Sequence, residues 1–207
     1  MTTDIPERTS GRRSGPRAGV REAILRAATE LFAERGVGST SMDDIALRAE
    51  VAKGSIFYNF SSKARLVEVL MTEYVHEVTR VIAQAAEGTT GVARTRAILA
   101  ALLREVQEHP QPAKVMVAEV FRTDRSWQDS ASAWRDAIMG PLTDALAAER
   151  GARPGERWRV MAAAQTGAIL TAGMEWLVFH PELAYDEVLE AALDSLGLGT
   201  GSRHHES

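Results

Sequence analysis

Cysteine is absent from all 207 residues, which excludes disulfides and thiolate-ligated metals. Long apolar runs are missing too. None approaches the ~18–20 residues of a membrane span, and no signal-peptide pattern opens the chain. A cytoplasmic protein without membrane contact is therefore expected. Period-two alternation between turn signals does not occur, so no strand is expected, and no internal repeat is found. Catalytic signatures are wanting: there is no HExxH, GxSxG or Walker motif, and His76, His109 and His180 lack metal-ligand spacing. Gly197–Gly201 mimics a dinucleotide loop but follows a helical pattern rather than a strand. No enzyme activity, cofactor or metal is expected.

What remains is an ordinary globular composition, 45% hydrophobic and 25% charged, with charge unevenly spread. Residues 1–65 carry a net +3, and the rest −7, within a total of −4. A cationic N-terminal part suits a polyanionic partner. Residues 1–18 hold almost nothing apolar and include Arg8, Arg12, Arg13 and Arg17. Such a segment does not offset its own ordering entropy, and it reads as a disordered cationic arm able to enter a minor groove.

From Val20 the pattern becomes helical. Val20, Ile24, Ala28, Leu31 and Phe32 share a face, and Gly36 stops the run as a left-handed cap. A short helix follows, capped by Ser39 or Thr40, with Asp43 and Asp44 at its positive end and Met42, Ile45, Ala46 and Ala49 inward. After a four-residue break comes the segment VAKGSIFYNF, then Ser61-Ser62-Lys63 opening a long helix striped by Leu66, Leu70, Tyr74, Val78 and Ile82. Beyond Gly88–Gly91 the periodicity predicts helices near 92–108, 113–122, 126–149, 156–179 and 184–196. Pro110, Pro112, Gly151–Gly155 and Pro181 are the punctuation, and Gly140-Pro141 should kink or break its helix. The expected fold is all-α. The arm (1–18) precedes a three-helix DNA-reading unit (19–65), a larger helical domain (66–198) and a flexible tail (199–207).

Helix, turn, short helix, break and second short helix form a helix-turn-helix arrangement, whose last helix enters the major groove. Ile56 and Phe60, four apart, can pack inward, leaving Lys53, Gly54, Ser55, Phe57, Tyr58 and Asn59 outward or sideways. Gly54 permits close backbone approach to DNA. Ser55 can meet a base edge and Phe57 a thymine methyl. Tyr58 can donate to phosphate, while Lys53 and Lys63 supply charge.

These residues carry a resemblance. The run REAILRAATELFAERG through TSMDDIALRAEVAKGSIFYNFSSKARLVEVL resembles the N-terminal domain of the tetracycline-repressor (TetR) family over about residues 20–70. The resemblance implies that Thr40 contacts phosphate, that Lys53, Gly54, Ser55 and Phe57 face the groove, and that Tyr58, Asn59 and Lys63 grip the backbone. Two positions depart from the pattern. Glu50 stands where Gly is usual, at a cost of roughly 1–2 kcal/mol if the turn is left-handed, and Asn59 stands where His is common.

For residues 66–198 the resemblance implies dimerisation and small-molecule binding. In relatives the last two helices, here near 156–179 and 184–196, pair across a two-fold axis. Ala162, Ala163, Ala164, Gly167, Ala168, Ala172 and Gly173 make the first of them smooth enough for close approach, either to a second copy or to its own domain. Trp127, Trp134, Trp158 and Trp176 all lie in this half, interleaved with Met116, Phe121, Met139, Met161 and Met174. They form ordinary core or line an adaptable apolar pocket, with Glu119, Arg122 and Gln165 as polar anchors. The reading is a homodimeric repressor, released from a (pseudo)palindromic double-stranded DNA operator by an unidentified apolar or aromatic ligand. The alternative is an activator or architectural DNA binder without a ligand.

Overall fold

The computed structural model of the chain describes residues 16–120 and 128–199. Those residues form nine helices and no strand, as the sequence leads one to expect. They are α1 (Pro16–Arg35), α2 (Met42–Arg48), α3 (Lys53–Asn59), α4 (Lys63–Ala86), α5 (Gly91–Glu108), α6 (Pro110–Val120), α7 (Gln128–Glu149), α8 (Glu156–Phe179) and α9 (Tyr185–Ser195).

Local chemistry explains most of the boundaries. Gly36 ends α1 at φ 82°, a conformation that L side chains disfavour. Ser62 caps α4 by accepting from the Arg65 N–H, and Gly88 at φ 69° helps close its far end. Three expectations need correction. The cap of α2 is Ser41, not Ser39 or Thr40. Its hydroxyl accepts from the Asp44 N–H at 3.1 Å while the Asp44 carboxylate takes the Ser41 N–H at 2.9 Å, a reciprocal capping box. These bonds from Ser41 hold the Asp44 carboxyl below its usual range. Proline opens helices here rather than breaking them. Pro16 starts α1, so residues 16–18 are helical, and Pro110 starts α6 three residues before the expected position. First-turn positions need no backbone donor and accept a fixed φ. Within α7 the helix continues through Pro141, so of the kink or break expected there the break does not occur. The lost bond toward Ala137 is tolerated beside Leu142, Ala145 and Leu146, which are all buried.

Two apolar cores result. The first gathers Ile24, Leu31 and Phe32 of α1, Ile45 of α2, Ile56 of α3, Phe60, and Leu66, Leu70 and Met71 of α4, with Val115 and Met116 of α6 and Trp134 of α7. The second joins Val78 and Ile82 of α4 to α5, α7, α8 and α9 through Leu99, Leu103, Leu142, Ile169, Trp176 and Leu193. Helix α8 reaches α5 closely because Gly173 has no side chain. A Cβ there would lie 2.8 Å from Val106 Cγ1.

Candidate nucleic-acid interface and ligand cavity

Helix α3 is pinned by its inner face. Ile56 is fully buried and Phe60 nearly so, and the Phe60 N–H closes the helix onto the Ile56 carbonyl at 2.8 Å. The opposite face is open: Tyr58 is 80% exposed and Phe57 46%. Gly54 is exposed, with open space where a side chain would be, and Ser55 is half-buried. Lys53 is exposed but ion-paired to Asp43 of α2 at 2.7 Å. The Asn59 amide donates back to the Ser55 carbonyl at 2.8 Å.

The turn between α2 and α3 is a Schellman arrangement. The Val51 N–H donates to the Ala46 carbonyl at 3.0 Å and the Glu50 N–H to Leu47 at 3.2 Å. Glu50 takes the left-handed position, at φ 55°, the one non-glycine with positive φ among the described residues. The turn that joins α1 to α2 is held from α4. The Lys63 ammonium donates to the carbonyls of Val37 at 2.8 Å, Thr40 at 2.9 Å and Gly38 at 3.4 Å. Thr40 is 1% exposed, and its hydroxyl donates to the Gly36 carbonyl at 2.9 Å. Arg48 is drawn away from α3 by Glu30 and Glu34 of α1.

In the larger half, one cavity lies between α4, α5, α6, α7 and α8. Tyr74, Val78, Glu105, Val106, Met116, Val117, Ile138, Thr166 and Leu170 are among the residues around it, and its accessible volume is about 30 Å³. Glu105 and Thr166 are 3% and 2% exposed, yet Glu105 Oε2 and Thr166 Oγ1 find no hydrogen-bond partner among the described residues. Burial pushes the Glu105 carboxyl above its usual range, against the opposing pull of His109. Burial likewise raises Tyr74, with the Glu105 charge adding to it.

Residues 24–70 match the family described as bacterial regulatory proteins, tetR family. The N-terminal unit of the chain is thus that of the TetR family. Over 63 residues it is 44% identical to an HTH-type transcriptional repressor of Mycobacterium tuberculosis, a match spanning 30% of this chain and 34% of that protein. The chain thus matches about a third of the length of such curated relatives. The HTH-type transcriptional activator FasR of Mycolicibacterium smegmatis is 25% identical across 86% of this chain and 81% of its own. Among solved structures, the fold is shared with the transcriptional regulator FadR of Bacillus subtilis in complex with stearoyl-CoA. That likeness has a TM-score of 0.67 and 20% identity, and covers 87% of this chain and 98% of that one.

Against the TetR pattern, α3 brings Lys53, Gly54, Ser55, Phe57, Tyr58 and Asn59 onto one short element. Thr40 and Lys63 face inward to the α1–α2 turn, so the phosphate contact implied for Thr40 is not available to its buried hydroxyl. Arg12 and Arg13 lie outside the described residues, as do Phe121, Arg122 and Trp127, and the side chain of Arg17 is not described. The pocket residues expected from sequence do not share one cavity. Met116 lines it, but Trp134 sits in the first core, its indole N–H 3.3 Å from Thr72 Oγ1. Met139 instead borders a surface depression with Asp136, Thr143 and Arg159. Met161 flanks the second core. Gln165 is buried with an unpartnered Oε1, and Glu119 is buried on α6. Sequence reading passed over Glu105, although Ile98, Leu102 and Glu105 share one helix face and mark a carboxylate aimed into core. It also passed over Leu47, which is 80% exposed on α2.

Proposed function

We propose that this TetR-family protein is a sequence-specific DNA-binding transcriptional regulator. It works as a homodimer and loses operator affinity when a small molecule occupies the α4–α8 cavity. The observation that carries the reading is α3 itself. Its inner residues are locked in the core while two large rings turn outward, Phe57 46% and Tyr58 80% exposed. Tyr58 reaches phosphate, Phe57, Ser55 and Gly54 approach base edges, and Lys53 exchanges Asp43 for the polyanion. The arm bearing Arg12, Arg13 and Arg17 adds a minor-groove contact.

Dimerisation through α8 and α9 is supported by a face of α8 that its own protomer leaves open. Val160 is 69% exposed, Val178 53% and Phe179 66%, and Ala164 and Gly167 between them are exposed too. A two-fold pairing there places the two α3 helices in successive major grooves about 34–36 Å apart. No described helix is long and apolar enough to cross a membrane. Bacillus subtilis FadR, with its bound stearoyl-CoA, illustrates a ligand-holding version of the fold. FasR, an activator, leaves the sign of regulation to a reporter assay.

The deciding experiment is selection of genomic DNA fragments on the purified protein, followed by footprinting. The expected result is a protected site with two-fold symmetry, lost with Tyr58→Ala. Retention of no fragment above bulk DNA, or retention unaffected by changes at both Phe57 and Tyr58, overturns the reading.

A further inference from the structure

The described molecule offers several places where chemistry is unaccounted for. The depression beside Met139, of about 460 Å³, is partly open to solvent. The trio Glu105, Glu108 and His109, close enough to share a cation, has two exposed members. The exposed face of α8 belongs to the proposed dimer. The cavity around Glu105 is different, because two of its polar atoms are buried, lie on separate helices, and have no hydrogen-bond partner among the described residues.

We propose that the effector taken by this cavity is an organic ammonium compound with an apolar, ring-bearing body, its N–H groups shared between Glu105 Oε2 and Thr166 Oγ1. The inference rests on the ligand-responsive reading above and narrows it. A carboxylate oxygen only accepts, and a threonine hydroxyl accepts as well as donates. An ammonium group brings up to three donors on one atom and satisfies both acceptors at once. The charge balance points the same way. No cationic side chain lines the cavity. The cations that act on Glu105 are His109, exposed beyond its rim, and Arg80, already paired with Glu77. An anionic head group would meet Glu105 with Tyr74 alongside and nothing to neutralise it, whereas a cation supplies the missing charge. The remaining wall is apolar, from Val78, Met116, Val117, Ile138 and Leu170. At about 30 Å³ the space fits the head group but not the body. Lining side chains, the unbranched Met116 among them, must swing aside to admit it.

The test uses three probes of one shape on the full-length protein at neutral pH: 4-phenylbutylamine, 4-phenylbutan-1-ol and 4-phenylbutanoate. Titration calorimetry should show the amine binding at least tenfold tighter than the alcohol, and no heat from the carboxylate. Glu105→Gln, nearly isosteric, should erase the amine's advantage without lowering the melting temperature. Thr166→Val should weaken the amine several-fold, and serves alone if the first variant does not fold. Preference for the carboxylate, equal binding of amine and alcohol, no binding of any probe at millimolar concentration, or indifference of the amine to both substitutions overturns the proposal. So does tight Zn(II) binding through Glu105, Glu108 and His109 that excludes the amine. Operator affinity is measured alongside. Amine binding that leaves DNA affinity unchanged keeps the site but removes its regulatory role. DNA binding that is intact while the amine is ignored overturns the ammonium site and leaves the DNA-binding reading standing.

Discussion

Replacing Glu50 by glycine should stabilise the protein. The residue occupies the left-handed position of the α2–α3 turn, at φ 55°, fixed there by the two backbone bonds from Glu50 and Val51. An L side chain in that conformation costs roughly 1–2 kcal/mol, because Cβ crowds the neighbouring carbonyl. Glycine removes the clash, but its freer unfolded chain takes back about 0.5–1 kcal/mol. The Glu50 side chain is exposed, so no packing is lost. The net gain lies between about 0 and 1.5 kcal/mol, which for a chain of this length raises the melting temperature by at most about 6 °C. Glu50→Gln is the control: it keeps the strain and removes the same negative charge beside the reading helix. Glu50→Asn, whose side chain tolerates the left-handed region, should fall between. Thermal and urea unfolding of the four proteins decide the matter. Both the Gly and Gln variants should bind DNA somewhat tighter, since each removes one negative charge. If the Gly variant is no more stable than the Gln variant, strain at Glu50 is not the cause and the argument fails.

Lys63→Ala should cost about 1.5–3 kcal/mol in urea unfolding, because it strips a charged donor from three carbonyls of the α1–α2 turn. Unchanged stability with a salt slope for DNA binding reduced by about 1 would instead make Lys63 a phosphate contact. Trp134→Ala should lower stability by about 3–5 kcal/mol and impair DNA binding with it, whereas Trp134→Phe, retaining most of the ring volume, should lose less; an unchanged melting temperature for the alanine variant removes Trp134 from the core. Gly173→Ala should destabilise by about 1–3 kcal/mol through overpacking against Val106, and Gly173→Ala combined with Val106→Ala should recover part of that loss in the same melting assay.

Much of the reading unit was legible because its signals are local. Gly36 announced a left-handed cap, and the four-residue spacing of Ile56 and Phe60 announced an inner face, independent of what packs against them. Where two residues offer the same chemistry, the choice depends on geometry that spacing does not contain. Thr40 and Ser41 both carry a hydroxyl, but Thr40 is turned back to the Gly36 carbonyl and Ser41 is left to cap α2. Lys63 looked like free charge because the carbonyls it meets lie 23 to 26 residues earlier in the chain. The small residues of α8 read as one smooth surface, yet they divide. Ala162 and Gly173 are buried inside the protomer, while Ala164 and Gly167 face out. The aromatic excess of the second half is compatible with core or with pocket lining, and Trp134 takes the first role, joining α7 to the first core. The polar groups of the cavity were hidden because a single glutamate on an amphipathic helix looks like surface until its neighbours are placed around it.

Helix α4 contributes Leu66, Leu70, Met71 and Val75 to one core and Val78, Ile82 and Ala86 to the other, with no break in its 24 residues. The two cores are therefore not separable bodies in a thermodynamic sense. Melting either one strips half the buried stripe from a helix that the other needs, so both should be lost in a single cooperative transition. A fragment cut after Ala86 would keep the whole reading unit yet carry an unburied Val78–Ile82 stripe into solvent, where it invites self-association. Modularity, in this chain, stops at the sequence: the N-terminal part matched by the family should not stand alone.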